Sequence, residues 1–161
     1  MPFTPLHLGV GACCKAVGQQ RFSFMIFAGT QVLMDIEPLL GLIYGWQYLH
    51  LHTHNLIGAT LIGSIALLIG KSISQWVLRS ILNDRDWSIS WRTAAISAYI
   101  GSFSHILLDA FMHHDVYWFY PWILKNPLLG LIPYSVIFYS CICAILVGGF
   151  GFYLCKYKNE S

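Results

Sequence analysis

A chain of 161 residues is long enough for one domain and too short for two ordinary ones. Hydrophobic residues make up 57% of it and charged residues only 10%, where soluble domains carry about a quarter charged residues. With a mean hydropathy of +0.61 the composition excludes a water-soluble globule, and a net charge of +2 is too balanced for a nucleic-acid-binding surface.

Five apolar segments follow one another, and a single integral-membrane domain over 1–161 is expected. Met1 is followed by PFTPLH, with no basic n-region and no A-x-A site, so no cleaved signal is expected and the segments should stay in the membrane. Residues 4–14 are shorter than the ~17–25 residues of an upright span, and form a short, tilted or re-entrant helix. KAVGQQR is a polar break. Residues 22–46 can span and carry Asp35 and Glu37, with Pro38 just behind to kink the helix. Residues 55–78 give a third helix, and 79–92 a polar stretch in which Asp84, Arg85 and Asp86 read as a solvated loop. Residues 93–112 give a fourth helix, and 128–155 a fifth without an ionisable residue before Lys156. The predicted fold is an all-α polytopic bundle of four long transmembrane helices and a short N-terminal one, because lipid forbids open backbone.

Lys15, Arg21, Lys71, Arg79, Arg85, Arg92, Lys156 and Lys158 mark one side, cytoplasmic by the positive-inside rule. The loops at 47–54 and 113–127, with Lys125 as their only Lys or Arg, face outward. Trp46, Tyr48 and the run 117–122 then sit at the outer interface, and Trp76, Trp87 and Trp91 at the inner one. Gly41, Gly45, Gly58, Gly63, Gly148, Gly149 and Gly151 are expected to let helices approach closely. Five scattered cysteines without C-x-x-C spacing read as small packing residues rather than disulfides.

The ionisable groups gather toward the outer side. His105 and Asp109 are i and i+4 on one helix face, and His113 continues it. This is a two-ligand half-site for a divalent metal, or else a buried hydrogen bond between helices. His50, His52 and His54 alternate: extended, all three share a face; helical, only His50 and His54 do. His54 opens the next helix in this reading, with Thr53 as its cap. Asp35 lies about 16 Å below Trp46 in a continuous helix and needs a partner in lipid. Glu37, about 200° around that helix, cannot face the same spot unless the helix breaks. One of the two ligates while the other orients a histidine or takes a proton. His7 alone is ordinarily satisfied by a carbonyl, and His113, His114 and Asp115 either extend the site or form an exposed polar loop.

These segments resemble the YdjM-like bacterial inner-membrane metal-dependent hydrolases. That family has an early histidine, a PDIDHP-type motif, an HRGxTHS motif and a GYLSHxLxD motif running into aromatic and proline residues. The matching stretches are His7, Met34–Pro38, LHLHTHN at 49–55, GSFSHILLDAF at 101–111 and YWFYPW at 117–122. The chain departs at Glu37, where the family commonly has aspartate, and at Leu51-His52, which replace Arg-Gly. The family is grouped with the zinc-dependent phospholipase C and single-strand nuclease superfamily of all-helical phosphoesterases. The resemblance implies metal ligands His7, Asp35, His54, His105 and Asp109, with Glu37 and His50 in support.

Together the residues and the resemblance lead to an expected hydrolase with one or two Zn²⁺ ions, Glu37 or Asp35 taking the proton and His50, His52 and His113 supporting. The expected partner is a membrane lipid or lipid-linked phosphoester, with no nucleic acid and no obligate protein partner. The expected place is the bacterial inner membrane, multi-pass, with the site toward the periplasm and the C-terminus in the cytoplasm. The rival is a non-enzymatic membrane protein using the cluster as a structural metal site or for ion or proton transport. The site is expected between the second, third and fourth helices, with His7 at its edge and the fifth helix outside.

Overall fold

A computed structural model describes residues 4–82 and 88–160. Asp84, Arg85, Asp86 and Trp87, and the side chain of Lys156, lie outside the described residues. Helix α1 (Thr4–Gly18) ends in a 3₁₀ turn (Gln19–Arg21), followed by α2 (Phe24–Met34), α3 (Ile36–Tyr44), α4 (Leu56–Ser80), α5 (Trp91–Met112) and α6 (Tyr134–Glu160). There is no strand among the described residues. Four stretches are long and apolar enough to cross a membrane: Phe24–Tyr44, Leu56–Ser80, Trp91–Met112 and Tyr134–Cys155. Helix α1, at 15 residues, measures about 22 Å and is the short one.

The first span is two helices, not one. Asp35 closes α2 and opens α3. Pro38 accounts for the break, because its ring nitrogen cannot donate to the Met34 carbonyl one turn back. The backbone ladder resumes with the Leu39 N–H donating to the Asp35 carbonyl at 3.1 Å. Polar caps fix the other starts: Ser23 for α2, Asn55 for α4 and Ser90 for α5 accept from Ile26, Gly58 and Thr93 N–H groups. The cap of α4 corrects the sequence reading, which placed Thr53 there. Asn55 Oδ1 accepts the Gly58 N–H at 2.8 Å, and the Thr53 hydroxyl is engaged elsewhere. Helix α1 also runs on past residue 14, to Gly18. The apolar stretch from 128 begins as turns rather than helix: Gly130 has φ +72°, and Pro133 restricts its predecessor, so α6 starts at Tyr134.

Helices α2, α4 and α5 pack as a trio, and α1 lies along α6 while touching α2 and α5. The trio's seam is built of small residues: Ala59, Gly63 and Ala66 of α4, and Ala94, Ala98, Gly101 and Ala110 of α5, are buried. In the α1–α6 seam a Cβ on Gly9 would stand 2.5 Å from the Cys141 carbonyl oxygen, and one on Gly148 2.5 Å from the Ala12–Cys13 backbone. These two glycines set how closely the helices approach. Gly63 likewise meets Tyr99 and Ser102, whereas Gly149 faces open space and Gly45 caps α3 at φ +69°. Apolar side chains such as Leu61, Leu68 and Trp76 on α4, and Leu146, Val147 and Phe150 on α6, are exposed, as lipid-facing residues are. All five cysteines are free.

The loops at 45–55 and 113–133 meet at one end, where the Leu56 N–H donates to the Trp118 carbonyl at 3.0 Å. At the other end the Ser23 N–H donates to Ser97 Oγ at 2.8 Å, and Lys71 Nζ lies 4.6 Å from the Trp91 ring centre.

Candidate metal centre

Four segments deliver side chains to one buried spot at the loop end. Helix α5 supplies His105 and Asp109, one turn apart. The α2–α3 break turns Asp35 inward, the loop before α4 brings His54, and α1 brings His7. At the α5 C-cap, His113 approaches the same carboxylate. His105 Nε2 is 3.1 Å from Asp109 Oδ2 and 3.3 Å from Asp35 Oδ1. His54 Nε2 is 3.3 Å from Asp109 Oδ2, and His7 Nε2 is 3.5 Å from Asp109 Oδ1. Two ligands held about 2.1 Å from one tetrahedral ion stand about 3.4 Å apart, so these separations leave room for a shared ion.

Hydrogen-bond geometry supports that reading. Nε2 of His7, His54 and His105 are all buried and have no hydrogen-bond partner among the described residues, though each lies 3.1–3.5 Å from a carboxylate oxygen. For two of them the tautomer follows from their surroundings. Gln31 Nε2 donates to the Gly101 carbonyl at 2.9 Å, which leaves Gln31 Oε1 to accept from His105 Nδ1 at 2.7 Å. His105 Nδ1 thereby carries a proton, and its Nε2 faces Asp35 and Asp109. A second relay does the same for His54. Thr53 Oγ1 donates to Glu37 Oε2 at 2.5 Å, so it accepts from His54 Nδ1 at 2.9 Å. Lone pairs aimed at carboxylates repel them unless a cation lies between. Burial pushes the His54 imidazole toward its neutral form, yet Asp109 and Glu37 outweigh it and hold its pKa above the ordinary value. The surroundings call for positive charge at Nε2, from a proton or a metal ion.

Asp35, His54, His105 and Asp109 offer ligand atoms all within 4.8 Å of one another. A second group, His50, Asp109 and His113, meets the same criterion and shares Asp109. His113 Nε2 is 3.9 Å from Asp109 Oδ1, and the His50 and His113 rings stack with centres 4.2 Å apart. Asp109 thus turns one oxygen to His54 and His105 and the other to His7 and His113.

Glu37 stands behind this cluster. Its Oε1 accepts from the His52 N–H at 2.8 Å and faces His52 Nδ1 at 2.9 Å; its Oε2 accepts from the Thr53 N–H at 2.6 Å and from the Thr53 hydroxyl. With every acceptor direction used, it orients Thr53 and His54 rather than facing the ligand atoms. The His52 ring is 68% exposed and points away from the centre. His7 is buried against His105, their Nδ1 atoms 3.3 Å apart, and reaches the group from its edge, on the second Asp109 oxygen.

Sequence reasoning missed three supports. Gln31 precedes Asp35 by four residues, the i to i+4 spacing that puts both on one helix face. Thr53 was read as a cap. Asp115 was read with His114 as exposed loop or site extension; His114 is exposed, but Asp115 is buried. Asp115 accepts from the Leu49 and His50 N–H groups at 2.7 and 3.1 Å and pairs with His50 Nδ1 at 3.0 Å. Burial alone would raise the Asp115 pKa, but the His50 imidazole and these N–H groups hold it well below the usual carboxylate range.

No family model matches the chain, nor does any curated protein or solved structure. The metal centre is therefore argued from its own geometry, in a membrane protein whose buried His/Asp groups can hold a metal ion.

Proposed function

We propose that this protein is a membrane-embedded, metal-dependent hydrolase of the YdjM-like kind, acting on an amphiphilic ester, most suitably a lipid phosphoester. The observation that carries the reading is the convergence of unpartnered imidazole lone pairs on shared carboxylates, with their Nδ1 protons committed to Gln31 and Thr53. Imidazole and carboxylate donors suit zinc. His54, His105, Asp109 and Asp35 would hold one ion, with His7 closing in on the other Asp109 oxygen. His50, Asp109 and His113 offer a place for a second, with only three protein ligands and so an open position. A metal at such a site lowers the pKa of a bound water toward ~7 and polarises an ester or phosphoryl oxygen.

The chain's own residues supply the rest. Gln31 and Glu37, through Thr53, fix the two imidazoles, and Asp115 fixes the loop that carries His50. Asp35, whose side chain is 30% exposed, is the ligand nearest an opening and the group positioned to take a proton. The basic residues toward the opposite end support a site on the periplasmic side of an inner membrane, with the C-terminus in the cytoplasm. There it meets the head groups of lipids rather than soluble esters.

Metal analysis of the purified protein is the first test. One to two equivalents of zinc are expected, lost in a His105→Ala/Asp109→Ala double variant. Less than about half an equivalent, unchanged in that variant, would sink the reading. A second reading, a purely structural zinc site, is favoured by the four donors able to surround one ion without leaving a position open. Cobalt-substituted protein separates the two: phosphate or a lipid phosphate analogue shifts the visible spectrum of an open site and leaves a closed one unchanged.

A further inference from the structure

The end of the bundle opposite the metal centre carries a pocket that the hydrolase reading does not use. Arg21, Ser90, Arg92 and Thr93 line a cavity of about 160 Å³. Arg21 and Ile96 also belong to an adjoining groove of about 430 Å³, whose wall continues through Val17, Phe22 and Ile100. Ile96 and Ile100 follow Arg92 by one and two turns of α5, which places them about 6 and 12 Å deeper in the membrane at 1.5 Å per residue. Charge at the mouth and apolar wall below are thus one continuous feature.

Local structure fixes the mouth. Lys15 Nζ donates to the Gln19 and Phe22 carbonyls at 2.8 and 3.0 Å, which pins the turn that presents Arg21. Gln19 in that turn sits at φ +45°, a conformation non-glycine residues adopt only when held. The Ser23 N–H, bonded to Ser97 Oγ, ties the same turn to α5 and so to Arg92. Neither guanidinium is paired with a carboxylate among the described residues. The groove itself is exposed: Val17 is 89% accessible.

We infer that this is a binding site for an anionic phospholipid, its phosphate between Arg21 and Arg92 and one acyl chain along Val17, Ile96 and Ile100. Two guanidinium groups at interface depth select negative charge, and the groove selects a lipid over a soluble phosphate. Arg92 and Asp109 are seventeen residues apart on α5, about 25 Å. The lipid held here is therefore not the molecule at the metal centre.

The test uses delipidated full-length protein in neutral detergent, with bound lipid counted by native mass spectrometry. Dioleoyl phosphatidylglycerol is expected to bind as one molecule, at least about tenfold tighter than dioleoyl phosphatidylcholine. Arg21→Gln/Arg92→Gln should weaken it by roughly 25-fold, about fivefold per charge, with metal content unchanged. Ile100→Trp, which fills the groove and keeps both charges, should weaken it as well, and inorganic phosphate should not compete at equal concentration. Equal binding of the two lipids, or wild-type affinity in both variants, overturns the proposal. Full competition by inorganic phosphate overturns it too, reassigning the pocket to a soluble anion. Should the double glutamine variant fail to fold, Ile100→Trp and the two-lipid comparison decide alone.

Discussion

Helix α5 and the membrane-crossing stretch of α6, Tyr134–Cys155, are both long enough to span, yet within their apolar eighteen-residue windows 44% of the first and 17% of the second is buried within the protein. Helix α5 buries Ser97, Ser102, His105 and Asp109, while the membrane-crossing part of α6 has no Asp, Glu, His, Lys or Arg. The difference teaches that in a membrane bundle polarity, not hydrophobicity, marks the helix that belongs inside. Lipid solvates α6 as well as a protein neighbour would, so close packing alone holds it. A buried carboxylate has nowhere else to go.

The sharpest way to break the comparison is Asp109→Asn. It keeps the shape but removes the charge shared by His7, His54, His105 and His113. Metal affinity, read by competition with a fluorescent chelator, should fall by at least about 100-fold, and stability by roughly 3–5 kcal/mol where a buried partner is left uncompensated. On the other helix, Gly148→Leu should act through packing alone. Its side chain would meet the Ala12–Cys13 backbone, costing about 3 kcal/mol of stability, while metal binding per folded molecule stays at the wild-type level. Loss of metal in that variant would show that α6 does more than pack. Gln31→Leu sharpens the α5 side: without the acceptor that holds His105 Nδ1–H, metal affinity should drop about 10- to 100-fold with the fold intact.

The smallest expected effect concerns pH. Asp115 has a depressed pKa in the folded protein, so its contribution is fully present above the ordinary carboxylate value of about 3.9 and is lost as pH falls below it. Asp115→Asn should flatten the fall in melting temperature below about pH 4, removing on the order of 1.5 kcal/mol at neutral pH. An unchanged pH profile would mean that the His50 loop is held by other contacts.

Much of this arrangement was legible in the residues. Long apolar runs announce spans because lipid leaves the backbone no alternative to helix. The His105–Asp109 spacing announces a shared face because helix geometry is fixed. What escaped were features decided by partners distant in the chain. Thr53 and Asn55 are both good caps, and only the position of Glu37 decides that Thr53 turns away to meet it. Asp115 follows two histidines in a polar loop, and its burial depends on loop 45–55 folding over it. Glu37 and Asp35 differ by two residues, and the Pro38 break, not the sequence order, sends one to the cluster and the other behind it.

That break also sets a problem of timing during synthesis. Glu37 meets Thr53 sixteen residues later, as soon as the next loop emerges. Asp35 meets His105 seventy residues downstream, about 4–14 s later at ~5–20 residues per second. Through that interval the first span sits in the bilayer with a carboxylate whose contact with His105 has not formed, and an aspartate at mid-helix costs about 2.5–3.5 kcal/mol by insertion scales. Its mean hydropathy of 1.4 is lower than the 1.9 and 2.0 of α4 and α6, so it has less apolar surplus to keep it threaded. Asp35→Leu should therefore raise the insertion efficiency of a truncated nascent chain ending before α5, even as it impairs the finished protein.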